Sequence, residues 1–266
     1  MTAGMPPTSI TAAAVLAALA LPPAALVQQR VPKKLLIESG APTAADKRLI
    51  NDGIEAIHWL ASLKPATVGV PAFKDDSSPP VREYLELAVL SVQLRAGGKA
   101  QRIAELVHRA IPYPVLLMVE LEDRLTMTVA HIRWAQNEVN KVVLDGPVHE
   151  VGLDAQVPPA LLASFLNALA LERLPRADLY ALVQGLIDTF TRFQAAQLSG
   201  HFAEARTPDH AAAQRAALQR CIEIDKSIAE LRSAAIKEKQ LPRQVAMNLD
   251  IKRLQAERAA VVAKLM

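Results

Sequence analysis

The sequence predicts a mixed α/β (α+β) fold: a sheet of about four to five strands covered by helices, followed by a C-terminal antiparallel helical hairpin. Residues 115–121 (VLLMVEL) form a near-continuous apolar run of strand length, as expected of a strand covered on both faces. A compact amphipathic helix at 99–111 separates that run from a Leu- and Val-rich stretch at 84–94, which gives a β-α-β order. In the last quarter Cys221, Ile224, Ile228, Leu231 and Ala235 step by three and four. After Leu241-Pro242 the rhythm resumes with Met247, Ile251, Leu254, Val261 and Leu265. Such spacing puts one apolar stripe on each of two helices, and the proline-containing break folds them back on each other.

Each element has its own signal. The Ala-rich stretch 10–21 is a short helix, capped by Thr8 or Ser9 and stopped by Pro22-Pro23. It lacks a basic leader, since no Lys or Arg precedes Arg30, and falls short of the ~20 apolar residues that span a bilayer. Residues 31–37 (VPKKLLI) read as a short extended or turn segment. Pro42-Thr43 opens a helix running to Leu63, in which Leu49, Ile50, Ile54, Ile57 and Leu60 fall at helical spacing. The loop 70–80 carries Pro71, Asp75, Asp76, Ser77, Ser78, Pro79 and Pro80. The strand 84–94 ends at Gly97-Gly98, and the following helix turns Ile103, Leu106 and Val107 inward. Strands at 125–132, 141–144 and 148–153 complete the sheet. From Pro158 the chain is helical: one helix at 159–171, then another from Pro175 with Leu179, Leu182, Val183, Leu186, Phe190 and Phe193 on its apolar face. The polar interval 199–209 is the linker, which divides the chain into an α/β domain, 1–203, and the hairpin, 204–266.

Composition bounds the function. The chain of 266 residues is 51% hydrophobic but only 4% aromatic, which suits helices packed through small and branched side chains. Thirty Lys and Arg against 27 Asp and Glu give +3, too mild to establish nucleic-acid binding. The single cysteine, Cys221, excludes an internal disulfide and falls on the heptad seam, which fits a cytoplasmic protein. The six histidines have no metal-ligand spacing, no serine sits in a Gly-x-Ser-x-Gly elbow, and no phosphate-binding loop is present; neither a metal nor a cofactor is called for.

Two constellations nevertheless carry chemistry. A metal-dependent nuclease needs carboxylates at adjacent strand ends with a polar or basic residue to orient water. The nearest set is Glu83, Glu86, Gln93 and Arg95 on the first strand with Glu120, Glu122 and Asp123 at the end of the next, and the residues that would work are Glu86, Gln93, Arg95 and Glu120. Against it, Glu83 and Glu86 stand on opposite faces of one strand. Lys33, Lys34, Arg95, Lys99 and Arg102 form a basic group suited to phosphates if the strand end and helix start converge. On the hairpin, Ile224, Ile228, Leu231, Ile251, Leu254 and Val261 supply a surface for a partner, and Arg258 interrupts the seam at a core position.

Val31-Pro32-Lys33-Lys34, a helix ending around Ile57-His58-Trp59, the strand 84–95 and above all Ile111-Pro112-Tyr113-Pro114-Val115-Leu116-Leu117 resemble the bacterial family known as domain of unknown function 4391. The resemblance runs from about Arg30 to about Phe202, with the helical tail as a further stretch it can include. It implies an accessory subunit encoded beside SNF2-type helicases and DNA methyltransferases in restriction-like antiphage systems, and it carries over no catalytic residue. The expectation is therefore a non-catalytic scaffold of a DNA-defence complex that docks a helicase, translocase or methyltransferase through its hairpin, with nucleic acid reached through the complex and no membrane contact. The alternatives are a diverged nuclease of the restriction-endonuclease type and a homo-oligomer formed through the hairpin.

Overall fold

Ten strands and nine α-helices are seen in the computed structural model, which describes residues 10–77, 81–136, 141–203 and 207–265. The strands are β1 (Leu26–Arg30), β2 (Ile54–Leu63), β3 (Phe73–Asp75), β4 (Arg82–Tyr84), β5 (Leu87–Leu94), β6 (Val115–Leu121), β7 (Arg124–Val129), β8 (Ile132–Trp134), β9 (Val142–Leu144) and β10 (His149–Leu153). Six of them make one mixed sheet in the order β1-β2-β5-β6-β7-β10, in which β5 and β6 are parallel and every other pair is antiparallel. Strands β3–β4 and β8–β9 form two separate ribbons. The two apolar runs seen in the sequence thus lie at the centre, where both faces are covered and alternation is lost.

One face of the sheet is covered by α2 (Lys33–Gly40), α3 (Ala44–Gly53) and α5 (Ala100–Ala110). There Leu36, Ile50, Ile103, Leu106 and Val107 pack with Leu90, Val92 and Leu117 of the central strands. The other face carries α1 (Ala12–Ala18), α6 (Pro159–Ala168) and the first half, as far as Phe190, of α7 (Leu179–Ser199), with the short α4 (Pro65–Val68) at the end of β2. On this side Leu63, Leu87 and Leu116 surround one small void with Leu19, Leu182 and Leu186. No helix among the described residues is long and apolar enough to cross a membrane.

Several elements differ from expectation. The helix expected to reach Leu63 ends at Gly53, and its second half is β2. Two bulges explain the misreading: Ile54 pairs with Leu94 and Ala56 with Gln93, then Trp59 with Leu90 and Ala61 with Val89. The first extra residue returns Ile54 and Ile57 to one face, so a strand mimics helical spacing. Residues 31–37 enter α2 at Lys33, behind Pro32, whose restricted φ suits a helix start. Strand β1 is an edge strand, exposed at four of its five residues, so it carries no apolar period. The strand expected from residue 84 begins at Leu87, and Tyr84 closes β4 instead. The helix 159–171 stops at Ala168, with a 3₁₀ turn at Leu171–Arg173. Helix α1 is capped by Thr11, whose hydroxyl accepts from the Ala14 amide; Thr8, Ser9 and the Ser78-Pro79-Pro80 part of the loop lie outside the described residues.

The chain forms two compact units, one ending at Phe190 and one beginning at Thr191, so the change falls within α7 and ahead of the polar interval. The second unit contains α8 (Pro208–Lys237), capped by the Thr207 hydroxyl, and α9 (Leu241–Val262), with a 3₁₀ turn at Ala263–Leu265. Within it Ala195 and Leu198 at the end of α7 pack with Cys221 and Leu265.

Candidate functional site

The hairpin is built on its seam. Ile224, Ile228 and Ile251 are buried together, with Leu231, Leu254 and Val261 packed around them. Cross-hairpin bonds fix an antiparallel register: Arg220 pairs with Glu257, Arg258 Nε donates to Asp225 Oδ1 at 2.6 Å, and Gln244 Nε2 donates to the Ala235 carbonyl at 3.1 Å. Arg258, which interrupts the apolar rhythm, is therefore satisfied by an acid on the facing helix. Burial also pushes the Cys221 thiol upward in pKa, away from the reactive thiolate.

The seam residues expected to meet a partner are thus consumed in joining α8 to α9. A different apolar set remains uncovered: Ile236 is 83% exposed, Leu241 70% and Leu249 62%, with Ile222 and Val245 also exposed. Leu241, Val245 and Leu249 step by four and form one stripe on the outer side of α9. Asking which apolar residues of the two helices fall off the heptad would have found them.

Of the nuclease candidates, Gln93, Glu120, Glu122 and Asp123 line one open cleft, while Glu83, Glu86 and Arg95 are not part of its lining. Gln93 and Glu120 are neighbours across β5 and β6. Glu120 Oε1, however, accepts from the Ala12 amide at 2.9 Å, placing its carboxylate at the start of α1. Arg95 Nη1 donates to the carbonyls of Asn51 and Asp52 at 3.2 and 2.9 Å, closing the end of α3. Glu86 lies just before the opposite end of β5, seven steps of extended chain, about 23 Å, from Gln93. It is buried, accepts from Ser62 Oγ, and pairs with Lys64 Nζ at 3.3 Å. Glu83 sits on β4, outside the main sheet. Among the described residues no three His, Cys, Asp or Glu side chains are grouped to hold a metal ion.

Of the basic residues, Lys33 and Arg95 meet. Lys33 Nζ donates to the Asn51 carbonyl at 3.0 Å and to that of Ile54, beside the Arg95 bonds. Both cations serve the negative end of α3; burial, then the nearby Arg95 charge, lowers the Lys33 pKa. Arg102 grips Asp46 through two bonds, 2.9 and 3.1 Å, and reaches Glu105 at 2.8 Å. That pairing holds the Asp46 carboxyl below its usual range. Lys34 pairs with Glu38 in solvent, and Lys99 stands at the start of α5 without a capping bond. The five therefore form no common anion site.

Sequence reasoning also missed a polar-aromatic cluster joining β4, the start of β8 and α7. His131 stacks on Tyr180 with ring centroids 4.4 Å apart. Its Nε2 donates to Gln184 Oε1 at 3.0 Å, which leaves Nδ1 to accept from the Tyr84 hydroxyl at 2.8 Å. Gln184 Nε2 in turn donates to Asp188 at 2.9 Å. Burial raises the Tyr84 pKa and lowers that of His131, so both rings are neutral. Positions 84, 131 and 180 lie too far apart in the chain for any spacing to announce this cluster.

A family model described as a domain of unknown function (DUF4391) matches residues 19–257. The match begins earlier than the resemblance noted above and takes in most of the hairpin. No curated protein and no solved structure shows significant similarity to the chain.

Proposed function

The chain belongs to the domain of unknown function 4391 family, and we propose that it is a non-catalytic accessory subunit of a bacterial, cytoplasmic, restriction-like antiphage complex. It docks a larger partner, an SNF2-type helicase or a DNA methyltransferase, through the C-terminal hairpin. The supporting observation is the exposed apolar set Ile236, Leu241, Val245 and Leu249, which the pairing of α8 with α9 leaves uncovered. Isolated exposed leucines are ordinary, but several aligned on one helical element suit a protein interface. Co-expression with the proposed partner, a helicase or methyltransferase of this kind, tests the reading: Leu241→Ser/Val245→Ser should remove co-purification while the chain stays folded by circular dichroism. Retained co-purification rejects hairpin docking. The nuclease reading receives less support, because Glu86 and Glu120 would have to share an ion across most of the length of β5.

A further inference from the structure

We infer that the hairpin receives an acidic amphipathic helix, laid in the groove between α8 and α9; this rests on the docking reading above. The groove, of about 520 Å³, is lined by Asp225, Ile228, Ala229, Arg232, Gln255, Arg258 and Ala259, with Asp225 neutralised by Arg258. Ala229 and Ala259 are small and exposed, which leaves room for the side chains of a third helix. Ile222, Ala229 and Ile236 follow one another at intervals of seven, so they fall on one face of α8, outside the seam. All three are exposed. From Ile222 to Ile236 the line is about 21 Å long, which matches some four turns of a partner helix. Leu241 and Val245 extend the apolar surface on α9. Apolar anchors at this spacing are what a helix-in-groove contact uses.

Along the groove Glu223, Asp225 and Glu230 are each paired, with Arg220, Arg258 and Lys226, so the uncompensated charge that selects the occupant lies toward the tip of the hairpin. Residues 232–253 hold six cations, Arg232, Lys237, Lys239, Arg243, Lys252 and Arg253, against two carboxylates, Glu238 and Asp250, leaving four net positive charges. Only Arg253 of the six has an ion-pair partner among the described residues, Asp250 at 3.6 Å. A second copy of the chain would bring one basic tip against another, which repels. Duplex DNA would satisfy the cations but leave the line through Ile222, Ala229 and Ile236 in water. A helix with leucines on one face and glutamates beside them answers both features.

The test is fluorescence anisotropy with the full chain and a labelled peptide of about five turns, carrying leucines at three- and four-residue spacing with flanking glutamates. A counterpart has lysine in place of each glutamate. The glutamate peptide should bind at least about tenfold tighter, weaken as salt rises, and lose about tenfold or more on Ile236→Ser/Leu241→Ser. Equal affinities would overturn the assignment. So would preferred binding of a short DNA duplex or of phosphatidylserine vesicles, or a hairpin-mediated dimer in sedimentation. If neither peptide binds while Leu241→Ser/Val245→Ser still removes co-purification with the helicase or methyltransferase, the docking reading stands and the acidic helix is rejected.

Discussion

Arg258 on α9 donates to Asp225 on α8 at 2.6 Å, beside a cluster of Ile224, Ile228 and Ile251 with Leu231, Leu254 and Val261. Both side chains are partly exposed, so solvent screens the pair and its contribution should be about 0.2–1 kcal/mol. Its value lies in register, because only one alignment of the helices brings this acid and base together. In urea titrations Arg258→Ala and Asp225→Ala should each cost less than about 1 kcal/mol, with a coupling of similar size in the double variant. Ile228→Ala, which opens a cavity in the seam, should cost about 2–4 kcal/mol. A polar substitution as costly as the apolar one would contradict this division of roles.

Gly40 ends α2 where it crosses α5. A Cβ there would lie 2.6 Å from Ala110 Cβ and 2.7 Å from the Leu106 carbonyl oxygen. Neither neighbour is the tip of a flexible side chain, so the helices must part. Gly40→Ala should cost about 1–3 kcal/mol in chemical denaturation. Adding Ala110→Gly should recover only part of that, since the Leu106 carbonyl stays in place.

His108 lies buried between α5 and the sheet, its Nε2 within hydrogen-bond distance of Thr128 Oγ1 at 2.9 Å. Burial pulls its pKa down to about 4, and burial also lowers that of His131. In the unfolded chain both rings titrate near 6.5. Between these values the unfolded state binds the proton first, so stability is full above about pH 6.5 and falls as pH drops toward 4. Below that, the His108 loss is complete. For His108 the loss should reach about 3 kcal/mol. Unfolding free energies at neutral pH and near pH 4.5 should show this fall in the wild type and a much smaller one in His108→Leu. An unchanged slope in the variant would assign the acid sensitivity elsewhere.

How much was legible follows from where each signal originates. β5, α5 and β6 could be read because a covered central strand and an amphipathic helix state their burial in their own residues. The seam of α8 and α9 was legible for the same reason, through Ile224, Ile228 and Ile251. β2 was not, because its bulges gave Ile54 and Ile57 the spacing of a helix. β1 was hidden because an exposed edge strand needs no apolar pattern. The candidate residues are separated by topology: Glu86 precedes the start of the strand whose far end carries Gln93, and the partners of Glu120 and Arg95 are backbone groups, which no side-chain motif reveals. The Tyr84–His131–Tyr180 cluster exists only because the fold brings three distant segments together.

The most direct test is a binding titration between the purified chain and its proposed partner, an SNF2-type helicase or a DNA methyltransferase, comparing wild type with Leu241→Ser/Val245→Ser. The exposed stripe should carry enough of the contact that the variant binds at least about a hundredfold more weakly with an unchanged melting temperature. Equal affinity for the two proteins would contradict the account.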